Sequence, residues 1–128
     1  MTLNQKRRVL LVDDNEAVRK SYAIILKSMG WDVASASRAD EAYQMASVET
    51  FDLAILDVTM PGMSGIEFCD QLRTTLPNAV DKIIVVSGAV DRPTSETALA
   101  AGAERFLQKP VGFSQLRDTL VSMGLQPA

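Results

Sequence analysis

Histidine is missing from all 128 residues of this sequence, which removes the commonest general base, the commonest transition-metal ligand and every imidazole-dependent nucleophile. Cysteine is nearly missing. The single Cys69 excludes an internal disulfide framework and fits a reducing compartment. Aromatics are few, with one Trp, two Tyr and four Phe. The apolar runs, such as VLLV and IIVV, are far shorter than the roughly 20 residues a membrane helix needs. The opening MTLNQKRR has no apolar core of a signal peptide, so a soluble, cytoplasmic chain is expected. Positive charge is sparse as well. The net charge is −3, and the one basic cluster, Lys6 to Arg8, reads as a solvated end, so direct binding to nucleic acid is not expected. What remains for chemistry is carboxylates, lysine and hydroxyls.

The length suits one domain, residues 1–128, with its core at about 7–124. No repeat, low-complexity tract or linker interrupts it. Apolar β-rich runs alternate with segments of helical period. RVLLV is followed by Val18, Tyr22, Ile25, Leu26 and Met29 at steps of three and four, with Gly30 closing the helix. WDVASA reads as a second strand, and Ser37 as the cap of a helix with Ala39, Ala42, Tyr43 and Ala46 on its apolar face. FDLAILD is a third strand, leading through a loop with Pro61 and Gly62 to a helix from about Ser64 to Thr74. KIIVVSG, a helix over Pro93 to Ala101, ERFLQ, and a last helix with Phe113, Leu116 and Leu120 inward complete the series.

Five such strand–helix pairs predict an α/β fold, a doubly wound parallel sheet with helices on both faces. Ligands of these sheets collect outside the carboxyl ends of the strands. Asp13 and Asp14 end strand one, Asp57 ends strand three, Ser87 ends strand four and Lys109 follows strand five, so all five belong to one edge. Two like charges about 4 Å apart repel by about 4 kcal/mol at an effective dielectric of about 20, so Asp13 and Asp14 need solvent or a cation. Taken singly, each residue has an ordinary reading. Asp13 and Asp14 suit the start of a helix, Asp57 a turn, Ser87 and Lys109 a solvated loop, and Cys69 a small core filler.

Together, LLVDDNE, AILDVTMPGMSG, VVSG and GAERFLQKP resemble the receiver domain of bacterial response regulators over nearly the whole chain. The resemblance implies a flavodoxin-like sheet of order 2-1-3-4-5. It also implies that Asp57 accepts a phosphoryl group, that Asp13 and Asp14 help hold Mg²⁺, that Ser87 is a switch hydroxyl, and that Lys109 pairs with phosphoryl or carboxylate oxygens. Phe106 matches the family's aromatic switch position. Mg²⁺ favours oxygen ligands and commonly takes one or two carboxylates, so direct ligation by Asp14, Asp57 and a backbone carbonyl is expected, with Asp13 acting through water. The resemblance assigns that carbonyl to Thr59.

A sensor histidine kinase or histidine phosphotransfer protein would then be the donor, docking helix one beside the acidic site. Helix four, strand five and helix five, with Arg92, Glu96, Arg105, Gln108 and Arg117, would meet a downstream protein or a second copy. No output module is expected after the last helix, and the chain stands as a lone regulator or an excised domain. The sequence departs from the commonest family pattern at Thr59, Ala89, Phe106 and Val111. Thr59 and Ala89 leave the phosphoryl lifetime open, Phe106 lacks a tyrosine hydroxyl, and Val111 replaces a frequent aromatic. Two other classes fit less well. A Mg²⁺-dependent phosphohydrolase would need a second aspartate where Thr59 stands, and a degenerate binding module would not need the acidic set. A dinucleotide or P-loop site lacks its glycine motif after strand one.

Overall fold

The computed structural model describes residues 6–88 and 95–125; Ala89, Arg92 and Pro93, named above, lie outside them. Parallel strands β1 (Arg8–Val12), β2 (Asp32–Ala36), β3 (Phe51–Asp57), β4 (Val80–Ser87) and β5 (Arg105–Gln108) alternate with helices α1 (Glu16–Ser28), α2 (Ala39–Val48), α3 (Gly65–Thr75), α4 (Ser95–Ala100) and α5 (Phe113–Ser122). The sheet order is β2-β1-β3-β4-β5, the flavodoxin-like order expected. No helix among the described residues is long and apolar enough to cross a membrane.

Alternation along each strand sends successive side chains to opposite faces, and both faces are covered. Leu10, Val12, Ala54, Leu56, Ile83 and Val85 pack under α2, α3 and α4. Val9, Leu11, Leu53, Ile55, Ile84 and Val86 pack under α1 and α5. That two-sided burial is why the strands read as nearly continuous apolar runs.

Local signals set most of the element ends. Asn15 caps α1 by accepting from the Val18 N–H, and Gly30, at φ +92°, follows its last turn. Ser64 and Glu67 form a reciprocal capping box that starts α3.

Two expectations are corrected. Ser37 does not cap α2: the N-cap is Arg38, without a side-chain bond, and the Ser37 N–H instead donates to Glu41 Oε1 at 2.9 Å. Glu41 thus reaches back over the first turn to the backbone ahead of the helix. Phe113 is not inward but 45% exposed, beneath the Arg117 guanidinium at 5.7 Å. The buried Val111 fills the apolar space beside Leu116 and Leu120 that Phe113 was expected to take.

Candidate functional site

The carboxyl edge of the sheet gathers its charged residues because three strands and one strand-end loop stop there together. The Asp13 N–H donates to Ala36 O at 3.2 Å, extending the β1–β2 ladder by one residue. Asp57 and Ser87 are the last residues of β3 and β4. The Lys109 N–H donates to Ser87 O at 2.7 Å, which ties the residue after β5 to the end of β4.

These backbone placements bring the side chains into contact. Lys109 Nζ lies 3.1 Å from Asp13 Oδ2 and 3.1 Å from Asp57 Oδ1. Asp13 and Asp57 are buried, whereas Asp14 is exposed. One carboxylate oxygen from each of the three lies within 4.8 Å of the others. A depression of about 230 Å³ opens above them, lined in part by Thr59, Gly88 and Lys109. Two larger clefts, about 630 and 460 Å³, lie at the sheet's amino edge and beside α2, and neither includes a residue of this set.

Burial and the neighbouring Asp13 charge push the Asp57 carboxyl up to about 6, with Lys109 pulling the other way. Burial by itself would favour neutral Lys109, but its two carboxylate partners outweigh that and hold its ammonium above the ordinary value. Two carboxylates and one ammonium leave a buried negative charge, and Asp14 adds another at the rim. Clustered hard oxygen donors with surplus negative charge fit a small divalent cation such as Mg²⁺.

The remaining expected residues sort by sheet face. Ser87 is 2% exposed, and its hydroxyl donates to the Gly88 carbonyl at 3.2 Å. Val85 is paired with Phe106 and Ser87 with Gln108, so Ser87 and the half-buried Phe106 are diagonal neighbours on the α3/α4 face. Arg105, Gln108, Glu96 and Arg117 are exposed. Cys69 is fully buried on α3, and burial pushes its thiol up to about 11, as suits inert core filler.

Gly65 packs closely on the end of β3: a methyl group there would overlap the Asp57 carbonyl. Two residues of the site were not anticipated. The Asn15 N–H donates to Asp13 Oδ1 at 2.9 Å, and Arg19 Nη1 donates to the Asp13 carbonyl at 2.6 Å. The only available signal was their position, on the cap and first turn of the helix that leaves the acidic strand end.

The whole domain resembles known proteins. The sequence profile of the response regulator receiver domain matches residues 9–121. The chain is 39% identical over 110 residues to response regulator MprA of Mycobacterium leprae, covering 85% of this chain and 47% of that protein. It is 32% identical over 117 residues to response regulator protein PilR of Pseudomonas aeruginosa (91% and 26%). It is 34% identical over 109 residues to a cyclic di-GMP phosphodiesterase of Thermotoga maritima (85% and 28%). The chain thus spans less than half the length of these curated relatives. Among solved structures, a CheY-like receiver domain protein from Methanospirillum hungatei superposes with a TM-score of 0.84 at 31% identity, over 93% of this chain and 94% of that one. Chemotaxis regulator CheY4 of Vibrio cholerae superposes at 0.83 and 30%, over 92% and 98%.

Proposed function

Because this chain belongs to the response regulator receiver domain family of two-component systems, we propose that Asp57 is its phosphoacceptor. The donor would be a phosphohistidine on a sensor kinase or phosphotransfer protein, met in the cytoplasm. The observation that carries this reading is the position of Lys109 Nζ, 3.1 Å from both Asp13 and Asp57 beneath an open depression.

Asp57 supplies the nucleophile. With its pKa at about 6, the ionised carboxylate prevails at neutral pH. One of its oxygens attacks phosphorus, the phosphorus–nitrogen bond breaks, and the electron pair stays on the imidazole nitrogen of the donor. The product on this chain is an acyl phosphate. Lys109 keeps a positive charge against the oxygens that carry the growing negative charge, and the burial of its partners strengthens that attraction. Asp13, Asp14, Asp57 and the Thr59 carbonyl would hold Mg²⁺. When bound, the cation neutralises charge on the carboxylates and the incoming phosphoryl group.

The output follows from the sheet face that Ser87 and Phe106 share. The Ser87 hydroxyl leaves the Gly88 carbonyl for a phosphoryl oxygen, and Phe106 turns inward beside it. That rearranges the surface of α4, β5 and α5 for a downstream protein or a second copy. The chain itself acts as a signalling phosphoacceptor and not as an enzyme on other substrates.

Incubation with Mg²⁺ and acetyl phosphate, followed by intact mass measurement, tests this reading. One added phosphoryl group is expected in the parent, dependent on Mg²⁺ and absent from Asp57→Asn. No added mass, with fast phosphate release excluded, would favour a constitutive binding module.

A further inference from the structure

The Asp13 carbonyl oxygen belongs to the peptide unit that joins Asp13 to Asp14, and that unit is planar. Whatever holds this oxygen therefore sets the plane from which Asp14 departs. Arg19 holds it: Nη1 donates to it at 2.6 Å from the first turn of α1.

Asp13 is secured from three further directions. Its N–H donates to Ala36 O at 3.2 Å, Oδ1 accepts from the Asn15 N–H at 2.9 Å, and Oδ2 accepts from Lys109 Nζ at 3.1 Å. Asp14 has no such support. Its exposed carboxylate makes no hydrogen bond or ion pair among the described residues. Yet it provides one of the three oxygens clustered within 4.8 Å. Its place in that cluster depends on the main chain alone.

We infer that Arg19 is a positioning residue for the divalent-cation site, acting through the Asp13–Asp14 peptide plane to hold the Asp14 carboxylate among its partners. The inference rests on the receiver reading of the site. Its sign is opposite to that of simple charge. A guanidinium beside a cation site repels the cation, so loss of the charge alone would tighten Mg²⁺ binding. Loss of the positioning bond weakens it.

The test is Mg²⁺ binding by calorimetry on the parent, Arg19→Met, Arg19→Leu and Arg19→Lys, with the urea midpoint of each recorded in chelator. Met and Leu remove the donor and the charge together, and each should weaken Mg²⁺ binding by about tenfold. Lys restores a donor and, with it, the repelling charge, and should bind Mg²⁺ more tightly than Met does. The metal-free midpoints should stay close to the parent's. If Arg19→Met does not fold, Arg19→Leu decides on the same criterion. Mg²⁺ binding in the neutral variants that equals or exceeds the parent's, or weaker binding in Lys than in Met, overturns the inference. A parent that neither binds Mg²⁺ nor gains phosphoryl mass overturns the receiver reading and this inference together. A parent that does both, with unchanged neutral variants, overturns this inference alone.

Discussion

The α-carbon of Gly65 faces the main-chain carbonyl of Asp57 so closely that a methyl group would overlap the oxygen. The Gly65 N–H also donates to Val58 O at 2.9 Å, which folds the start of α3 back onto the end of β3. Alanine is the better helix former, by about 1 kcal/mol. Gly65→Ala should nevertheless destabilise the fold by about 1–3 kcal/mol, because the clash is with backbone. It should also slow phosphoryl uptake, since Asp57 must shift. Urea unfolding decides the point, and a variant as stable as the parent would show that the loop yields freely.

Asp57 gives a pH dependence with a definite sign. Its folded-state pKa, about 6, lies above the ordinary 3.8, so between these values the folded protein binds the proton more tightly than the unfolded chain does. Stability in metal-free buffer should fall as pH rises from about 4 to 6, by about 3 kcal/mol from this group. Asp57→Asn lacks that loss. It should be more stable than the parent at pH 7, with the difference shrinking toward pH 4, and Mg²⁺ should stabilise the parent more. Parallel stability–pH curves for the two proteins would contradict the assignment of a strained buried carboxylate.

Arg73 joins three segments on the α3 side. Its guanidinium donates to Val80 O at 2.6 Å, Gly102 O at 3.1 Å, Asp81 O at 3.2 Å and Glu104 Oε1 at 2.9 Å. Glu104 Oε1 also accepts the Ile83 N–H at 2.6 Å. Arg73→Met should cost about 2 kcal/mol, because carbonyls and a half-buried carboxylate lose their donor. Arg73→Lys should recover about half at most, since one ammonium cannot match a planar fork. Full recovery in thermal unfolding would mean that charge, not geometry, matters there.

Much of the fold was legible because its signals are local. The two-sided burial of the strands writes itself as apolar runs, and the Gly30 and Ser64 ends follow from signals within a few residues. The acidic edge was legible too, since strand ends carry Asp13, Asp57, Ser87 and Lys109 in chain order. Ser37 was misplaced because α2 starts one residue later, with Arg38 at its cap, and Phe113 because Val111 competes with it for the same apolar space. Periodicity does not rank such competitors.

Which residues meet at the sheet edge follows from the order of strands along the chain, because a parallel sheet places every strand end on one side whatever the side chains do. How closely they meet is settled by contacts between distant parts of the fold. The equal approach of Lys109 to Asp13 and Asp57 spans 96 and 52 residues of chain. Distances of that kind are set by packing across the whole sheet, and no local pattern encodes them.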